Sequence, residues 1–202
     1  IERMVFLLMD NPLNSEIDMQ RIPSVSPETA QGKQKELLDA VKKKMGGVPN
    51  LVRVFANSPS ALEGYLGLSG ALGGGKLDAR QRERIALTVA EANSCAYCAS
   101  AHTAIGKLVG LDETDIAEAR HADNGNPKAR TGLRFARKVL ETKGRVSDAD
   151  LQATRQAGYS DEEILEIVGN VVLNIYTNYI NHVADTEIDF PSVKPEPANA
   201  IA

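Results

Sequence analysis

The sequence predicts an all-α protein, and three observations carry that expectation. Apolar residues recur at helical spacing in one segment after another, each opened by Ser, Asp or Asn and several also by Pro in the first turn. Glycines stand where several of these segments stop, as left-handed helix ends require. No run of residues alternates between apolar and polar as a half-buried strand would.

Taken in order, Ser26-Pro27 supplies an N-cap and an N1 proline for a helix through Leu37, Leu38 and Val41 that stops at Gly46-Gly47. Val48-Pro49-Asn50 opens a short helix ending near Asn57. Ser58-Pro59 starts a third, with Leu62, Tyr65, Leu66 and Leu72 inward, before Gly73-Gly74-Gly75. Asp78 caps a fourth carrying Ile85, Leu87 and Val89, and a fifth containing both cysteines runs to about Val109. Asp112 begins a short sixth, Asn126-Pro127 a seventh with Leu133, Ala136 and Leu140 inward and Gly144 as its stop, and Ser147 and Ser160 cap two more. From Asp189 onward the proline- and acid-containing chain reads as extended and able to pack on a neighbour.

A chain of 202 residues can bury a full core. Its domain organisation reads as an extension over residues 1–18, a single helical domain over 19–191 and an extended tail over 192–202. The stretch Val5-Phe6-Leu7-Leu8-Met9 is too short, with acidic flanks, for a good signal peptide, and Met19 looks a more natural start. A net charge of −4 and 4% aromatic residues argue against nucleic acid as a partner. No apolar run approaches the roughly 20 residues of a membrane span. Two cysteines without a secretion signal suit a reducing cytoplasm, where such a pair is normally catalytic or metal-binding.

Both cysteines lie in Cys95-Ala96-Tyr97-Cys98-Ala99-Ser100-Ala101-His102. Any disulfide within the chain is therefore this short one, and so small a ring hardly restrains the unfolded chain. Redox chemistry is the stronger reading, against two small buried residues that are merely neighbours. On a helix, Cys95, Cys98 and His102 share one face. Asn93 and Ser94 are good N-cap residues and would put Cys95 in the first turn, where the helix dipole favours a thiolate. His102, one turn past Cys98, can take or return a proton. Zinc competes for two Cys and one His, but a structural site wants a fourth ligand and no second Cys/His cluster is present.

Glu83 lies twelve residues before Cys95. On one straight helix it would be roughly 18 Å away along the axis. If the chain turns at Asn93-Ser94, Glu83 can approach and orient His102; periodicity alone favours an exposed acid among Arg80, Arg82 and Arg84. Other motifs carry less. Gly70 through Lys76 fits the spacing of a phosphate loop, but Leu77 follows in place of Ser or Thr and a helix precedes it. Lys128, Arg130, Arg134, Arg137 and Lys138 form a basic helix that reads as a solvated face, with an acidic partner as the alternative. Lys42-Lys43-Lys44 complements the C-terminal dipole of its helix.

Glu83, Cys95, Cys98 and His102 together reproduce the motif of alkylhydroperoxidase D-like proteins in the carboxymuconolactone decarboxylase superfamily: Glu, eleven residues, Cys, two residues, Cys, three residues, His. The surrounding chain resembles the peroxidase-related branch at Ile22-Pro23-Ser24, Gly47-Val48-Pro49-Asn50-Leu51, Ala56-Asn57-Ser58-Pro59 and Ala101-His102-Thr103. The likeness runs from about Met19 to Pro191.

The resemblance implies an alkylhydroperoxidase D-like helical fold with weak internal duplication and the CxxC at the start of a helix, assembled as trimers or hexamers. It implies that Cys98 attacks a hydroperoxide substrate and becomes a sulfenic acid, and that Cys95 resolves it to a disulfide. His102 and Glu83 would form the proton relay. A dithiol reductant, lipoyl or thioredoxin-like, would reopen the disulfide, and no cofactor or metal is assigned. Founding members carry a histidine just before the second cysteine, where Tyr97 stands here. A trace of duplication lies in Glu163 and His182, nineteen apart like Glu83 and His102, with Ile175 and Asn178 where cysteines would fall. Glu163 also fits a capping box with Ser160, and His182 reads as structural or interfacial. Two alternatives remain open: decarboxylation or lactone chemistry as in the superfamily's namesake, and a non-enzymatic redox sensor.

Overall fold

The structure is a computed structural model that describes residues 20–196. The extension over residues 1–18 and the last residues of the tail lie outside them. Among the described residues there are nine α-helices and no strand: α1 Gly32–Met45, α2 Asn50–Phe55, α3 Pro59–Gly73, α4 Ala79–Ala92, α5 Ala96–Leu108, α6 Glu113–Arg120, α7 Pro127–Thr142, α8 Asp148–Gln156 and α9 Asp161–Ala184. No helix among them is long and apolar enough to cross a membrane.

Most helix starts are where the capping residues put them. Ser58, Asp78, Asp112, Asn126, Ser147 and Ser160 each accept a backbone N–H of the first turn. The first helix differs. Ser26 O accepts from the N–H groups of Thr29 and Ala30, closing a single turn. At Gly32 the backbone enters the left-handed region, with φ 52°, and only then does α1 begin. Gly46, at φ 83°, ends it as expected.

α4 organises the molecule by packing against α5, α6, α7 and α9. Ile85, Leu87 and Val89 of α4 join Leu133 of α7 and Ile167 and Val171 of α9 in one apolar core. Ala90 belongs to a second core with Leu38, Val52, Phe55 and Leu62, and Cys95 and Cys98 are part of it. The cysteines therefore sit inside a packed layer, which restricts their contact with water.

The described part of the tail, as far as residue 196, packs on its own chain. Val193 N–H donates to Ser100 Oγ at 2.8 Å, Glu196 N–H to Glu91 Oε1 at 2.6 Å, and Arg120 Nη2 to the Lys194 carbonyl at 2.9 Å. Beneath it the Glu91 side chain is 0% exposed and meets Arg120 Nε at 2.7 Å. Removing one partner of such a pair strands a buried charge, so Arg120→Ala is expected to cost about 3–5 kcal/mol in urea unfolding. A loss under 1 kcal/mol would contradict that account.

The glycine-rich stretch after α3 is occupied by the protein itself. The N–H groups of Lys76 and Leu77 donate to the two carboxylate oxygens of Glu166 at 2.8 and 2.9 Å. A Cβ at Gly75 would lie 2.5 Å from that carboxylate, which explains the glycine. The basic helix is paired on its surface, Lys128 with Glu163, Arg130 with Asp123 and Arg137 with Glu141. Glu163 and His182 lie on the one continuous helix α9. They are thus roughly 28 Å apart and cannot meet as Glu83 and His102 do.

Candidate functional site

The turn between α4 and α5 builds the site. Cys95 N–H bonds the Ala90 carbonyl and Ser94 N–H the Glu91 carbonyl, each at 2.9 Å. With Ser94 in the left-handed region at φ 53°, this is a Schellman ending, a place that usually takes glycine. It reverses the chain so that α5 packs back along α4. Cys95 is at once the last residue of that ending and the N-cap of α5; it precedes the first turn in which the sequence placed it. Its Sγ accepts the Cys98 N–H at 3.3 Å, a role that Ser, Asp or Asn fills at other helix starts of the chain.

The reversal also brings Glu83 to His102, and the exposed acid favoured by periodicity is not what the structure holds. Glu83 Oε2 and His102 Nδ1 are 2.7 Å apart, with side chains only 17% and 21% exposed. Burial works against the imidazolium, but the Glu83 charge and hydrogen bond, with a further contribution from Cys95, outweigh it and raise the His102 pKa. With Nδ1 held by Glu83, Nε2 is the nitrogen left to exchange protons.

Both cysteines are free thiols and 1% exposed. Their acidities diverge because they share a proton. The Cys98 thiol donates to the Cys95 sulfur and so lowers the Cys95 pKa, against burial and with help from the Cys98 N–H and His102. Cys98 moves the other way, pushed up by burial and by holding that proton beside Cys95. Of the two thiols, Cys95 is therefore the one that gives up its proton more readily.

Cys98, Glu83 and His102 line a cavity of about 420 Å³ closed by α1, α2, α3, α9 and the tail; Cys95 does not reach it. Apolar walls come from residues such as Val52, Leu66, Ile105 and Phe190, and Tyr65 closes one side with its pKa pushed up to about 12, chiefly by burial. Tyr97 donates its hydroxyl to Asp189 Oδ1 at 2.8 Å and accepts the Leu51 N–H at 3.1 Å, while its ring meets Phe190 edge-on at 5.7 Å. Where the family histidine would stand, this chain thus has a residue that ties the tail over the cysteine helix. A larger cavity of about 670 Å³ lies around Arg80, Arg84 and Asp115 and contains neither cysteine. Among the described residues no three His, Cys, Asp or Glu side chains converge as metal ligands.

All four sequence-derived residues, Glu83, Cys95, Cys98 and His102, are thus together. Sequence reasoning missed the asparagines of α9. Asn170 and Asn174 line the cavity, and Asn181 Nδ2 donates to Cys98 Sγ at 3.2 Å. The signal available was amides at positions 170, 174, 178 and 181, a polar stripe on an otherwise apolar helix.

Residues 59–138 match the carboxymuconolactone decarboxylase family model. No curated protein matches the chain. Among solved structures, it is similar to an alkylhydroperoxidase AhpD core, an uncharacterized peroxidase-related protein from Ralstonia eutropha JMP134, at 25% identity and TM-score 0.76 over 84% of this chain and 92% of that one. An uncharacterized peroxidase-related protein from Silicibacter sp. TM1040 aligns at 21% identity and TM-score 0.74, over 87% and 94% of the two chains. The debrominase Bmp8, in a variant complexed with 2,3,4-tribromopyrrole, aligns at 17% identity and TM-score 0.69, over 83% and 90%, a likeness of fold.

Proposed function

The chain is an alkylhydroperoxidase D-like member of the carboxymuconolactone decarboxylase superfamily, and on that premise we propose that it is a thiol-dependent peroxidase that reduces organic hydroperoxides. The observation that carries the reading is the shared cavity: Cys98 and the His102–Glu83 pair open onto it, and Cys95 contacts Cys98 from behind.

In the proposed cycle the proton between the sulfurs shifts from Cys98 to Cys95, leaving a Cys98 thiolate facing the peroxide. Cys98 Sγ attacks one peroxide oxygen; the S–O bond forms as the O–O bond breaks. Sulfur is oxidised by two electrons and the peroxide is reduced to an alkoxide, which takes the proton held at His102 Nε2 and leaves as an alcohol. Cys95 then attacks Cys98 Sγ, giving its proton back to His102. The S–S bond forms, the S–O bond breaks, and hydroxide leaves as water with the His102 proton. Two thiols and one hydroperoxide become one disulfide, one alcohol and one water.

A dithiol of lipoyl or thioredoxin-like type would reopen the disulfide by exchange, in a reducing compartment such as the cytoplasm. Self-association is supported by exposed Leu165, Val172, Tyr179 and Val183 along α9, the first three at heptad spacing; a trimer or hexamer is the assembly that the family resemblance implies. Light scattering giving a monomer mass would remove that part of the proposal.

The test is consumption of cumene hydroperoxide with excess dithiothreitol as reductant. Many turnovers per protein support a peroxidase. Reversible thiol oxidation with negligible catalytic turnover supports the sensor alternative. Loss of neither thiol nor peroxide removes both.

A further inference from the structure

We propose that Asn178 and Asn181 of α9 form an amide cradle that holds the Cys98 thiolate and then receives its sulfenic acid. This rests on the reading of Cys98 as the attacking thiol.

Four asparagines of α9 are buried: Asn170, Asn174, Asn178 and Asn181, at 3%, 5%, 0% and 4% exposure. Two are satisfied within the helix, Asn170 Nδ2 by the Glu166 carbonyl and Asn174 Nδ2 by the Asn170 carbonyl, each at 2.8 Å. The other two face the cysteine helix. Asn181 Nδ2 touches the reacting sulfur, donating to Cys98 Sγ at 3.2 Å. Asn178 is oriented by Asn93, whose Nδ2 donates to Asn178 Oδ1 at 2.9 Å. Residues three apart on a helix lie on one face, so the two amides approach Cys98 together.

Each of these amides keeps one buried atom without a hydrogen-bond partner: Asn178 Nδ2, a donor, and Asn181 Oδ1, an acceptor. Folded proteins pair nearly all such atoms, so an orphan beside a reactive group needs an explanation, and a redox role is one. The two orphans are complementary to the group that oxidation creates. A sulfenic acid on Cys98 presents an oxygen that accepts and an O–H that donates, one for each. Before oxidation the Asn181 amide, bonded to the sulfur, opposes the burial that disfavours a Cys98 thiolate and acts to lower its pKa. Preorganised donors aimed at developing charge act in this way in other oxyanion sites.

The experiment uses Cys95→Ser, in which Cys98 is the single thiol. The titratable groups that then face it are His102 with Glu83, Tyr65 and Tyr97. Its apparent pKa is read from the pH dependence of iodoacetamide alkylation by intact mass, with and without Asn181→Leu, a substitution that fills the space without an amide. Asn181→Leu is expected to raise that pKa by about 1–2 units, the scale of one hydrogen bond to a charged sulfur. The lifetime of the sulfenic acid formed with cumene hydroperoxide, trapped with dimedone, is expected to fall about tenfold in Asn178→Leu. That second variant carries the test if Asn181→Leu does not give a cooperative melt. An unchanged pKa together with an unchanged lifetime overturns the cradle and leaves the peroxidase reading standing, because the alkylation step uses no peroxide. A Cys95→Ser protein that forms no sulfenic acid overturns both.

Discussion

Cys98→Ser is expected to abolish hydroperoxide turnover, while Cys95→Ser reacts once and stops at the sulfenic acid. The asymmetry follows from position: Cys98 lines the cavity and Cys95 does not. Acidity alone would reverse the roles, since the Cys95 pKa is lowered and the Cys98 pKa is raised. In the proposed cycle the two facts are compatible, because the Cys98 thiol is hydrogen-bonded to the Cys95 sulfur and can pass its proton there, which leaves the cavity-facing sulfur as the nucleophile. A serine at the attacking position has no accessible anion at neutral pH and removes the nucleophile entirely. Intact mass after peroxide distinguishes the variants: no change for Cys98→Ser, a dimedone adduct for Cys95→Ser. Turnover in Cys98→Ser equal to the unsubstituted protein would reverse the assignment.

His102→Ala is expected to slow peroxide reduction by about 10²–10⁴-fold, the range for losing a positioned proton donor and acceptor. Glu83→Gln keeps the imidazole and its hydrogen bond but removes the charge that supports the imidazolium. Because Glu83 raises the His102 pKa, the donor form persists above the ordinary value of about 6.5, and the rate falls only as pH rises through the raised pKa. Glu83→Gln moves that limb to lower pH. The same sign governs stability: the pair stabilises the fold fully below the unfolded imidazole pKa, and the contribution is lost as pH rises through the folded one. A pH–rate profile that does not move in Glu83→Gln would mean that Glu83 has no part in the relay.

The helix starts were legible because Ser, Asp and Asn before the first turn satisfy N–H groups that nothing else reaches. Ser26-Pro27 has the same chemistry yet closes only one turn, since the chain resets at Gly32, which a one-dimensional pattern does not weigh. That Cys98 and His102 share a face was readable from spacing alone; that Cys95 precedes the helix and does not reach the cavity was not. The Glu83–His102 contact was not, because it needs the left-handed Ser94 that folds α5 onto α4. The α9 asparagines and the tail around Asp189 lie far along the chain from the cysteines, and only packing brings them there: Asn181 to Cys98 is a separation of 83 residues. Tyr97 shows the other limit. Its identity marks a departure from the family motif, but its bonds to Asp189 and Leu51 belong to the tertiary structure.

The most direct test of the central claim is stoichiometric. The fully reduced protein is given one equivalent of cumene hydroperoxide, and free thiols and intact mass are followed together. The account expects both thiols to disappear with a mass decrease of about two daltons, the loss of two hydrogens on closing the Cys95–Cys98 disulfide. Thiols that stay reduced while the hydroperoxide persists would contradict it.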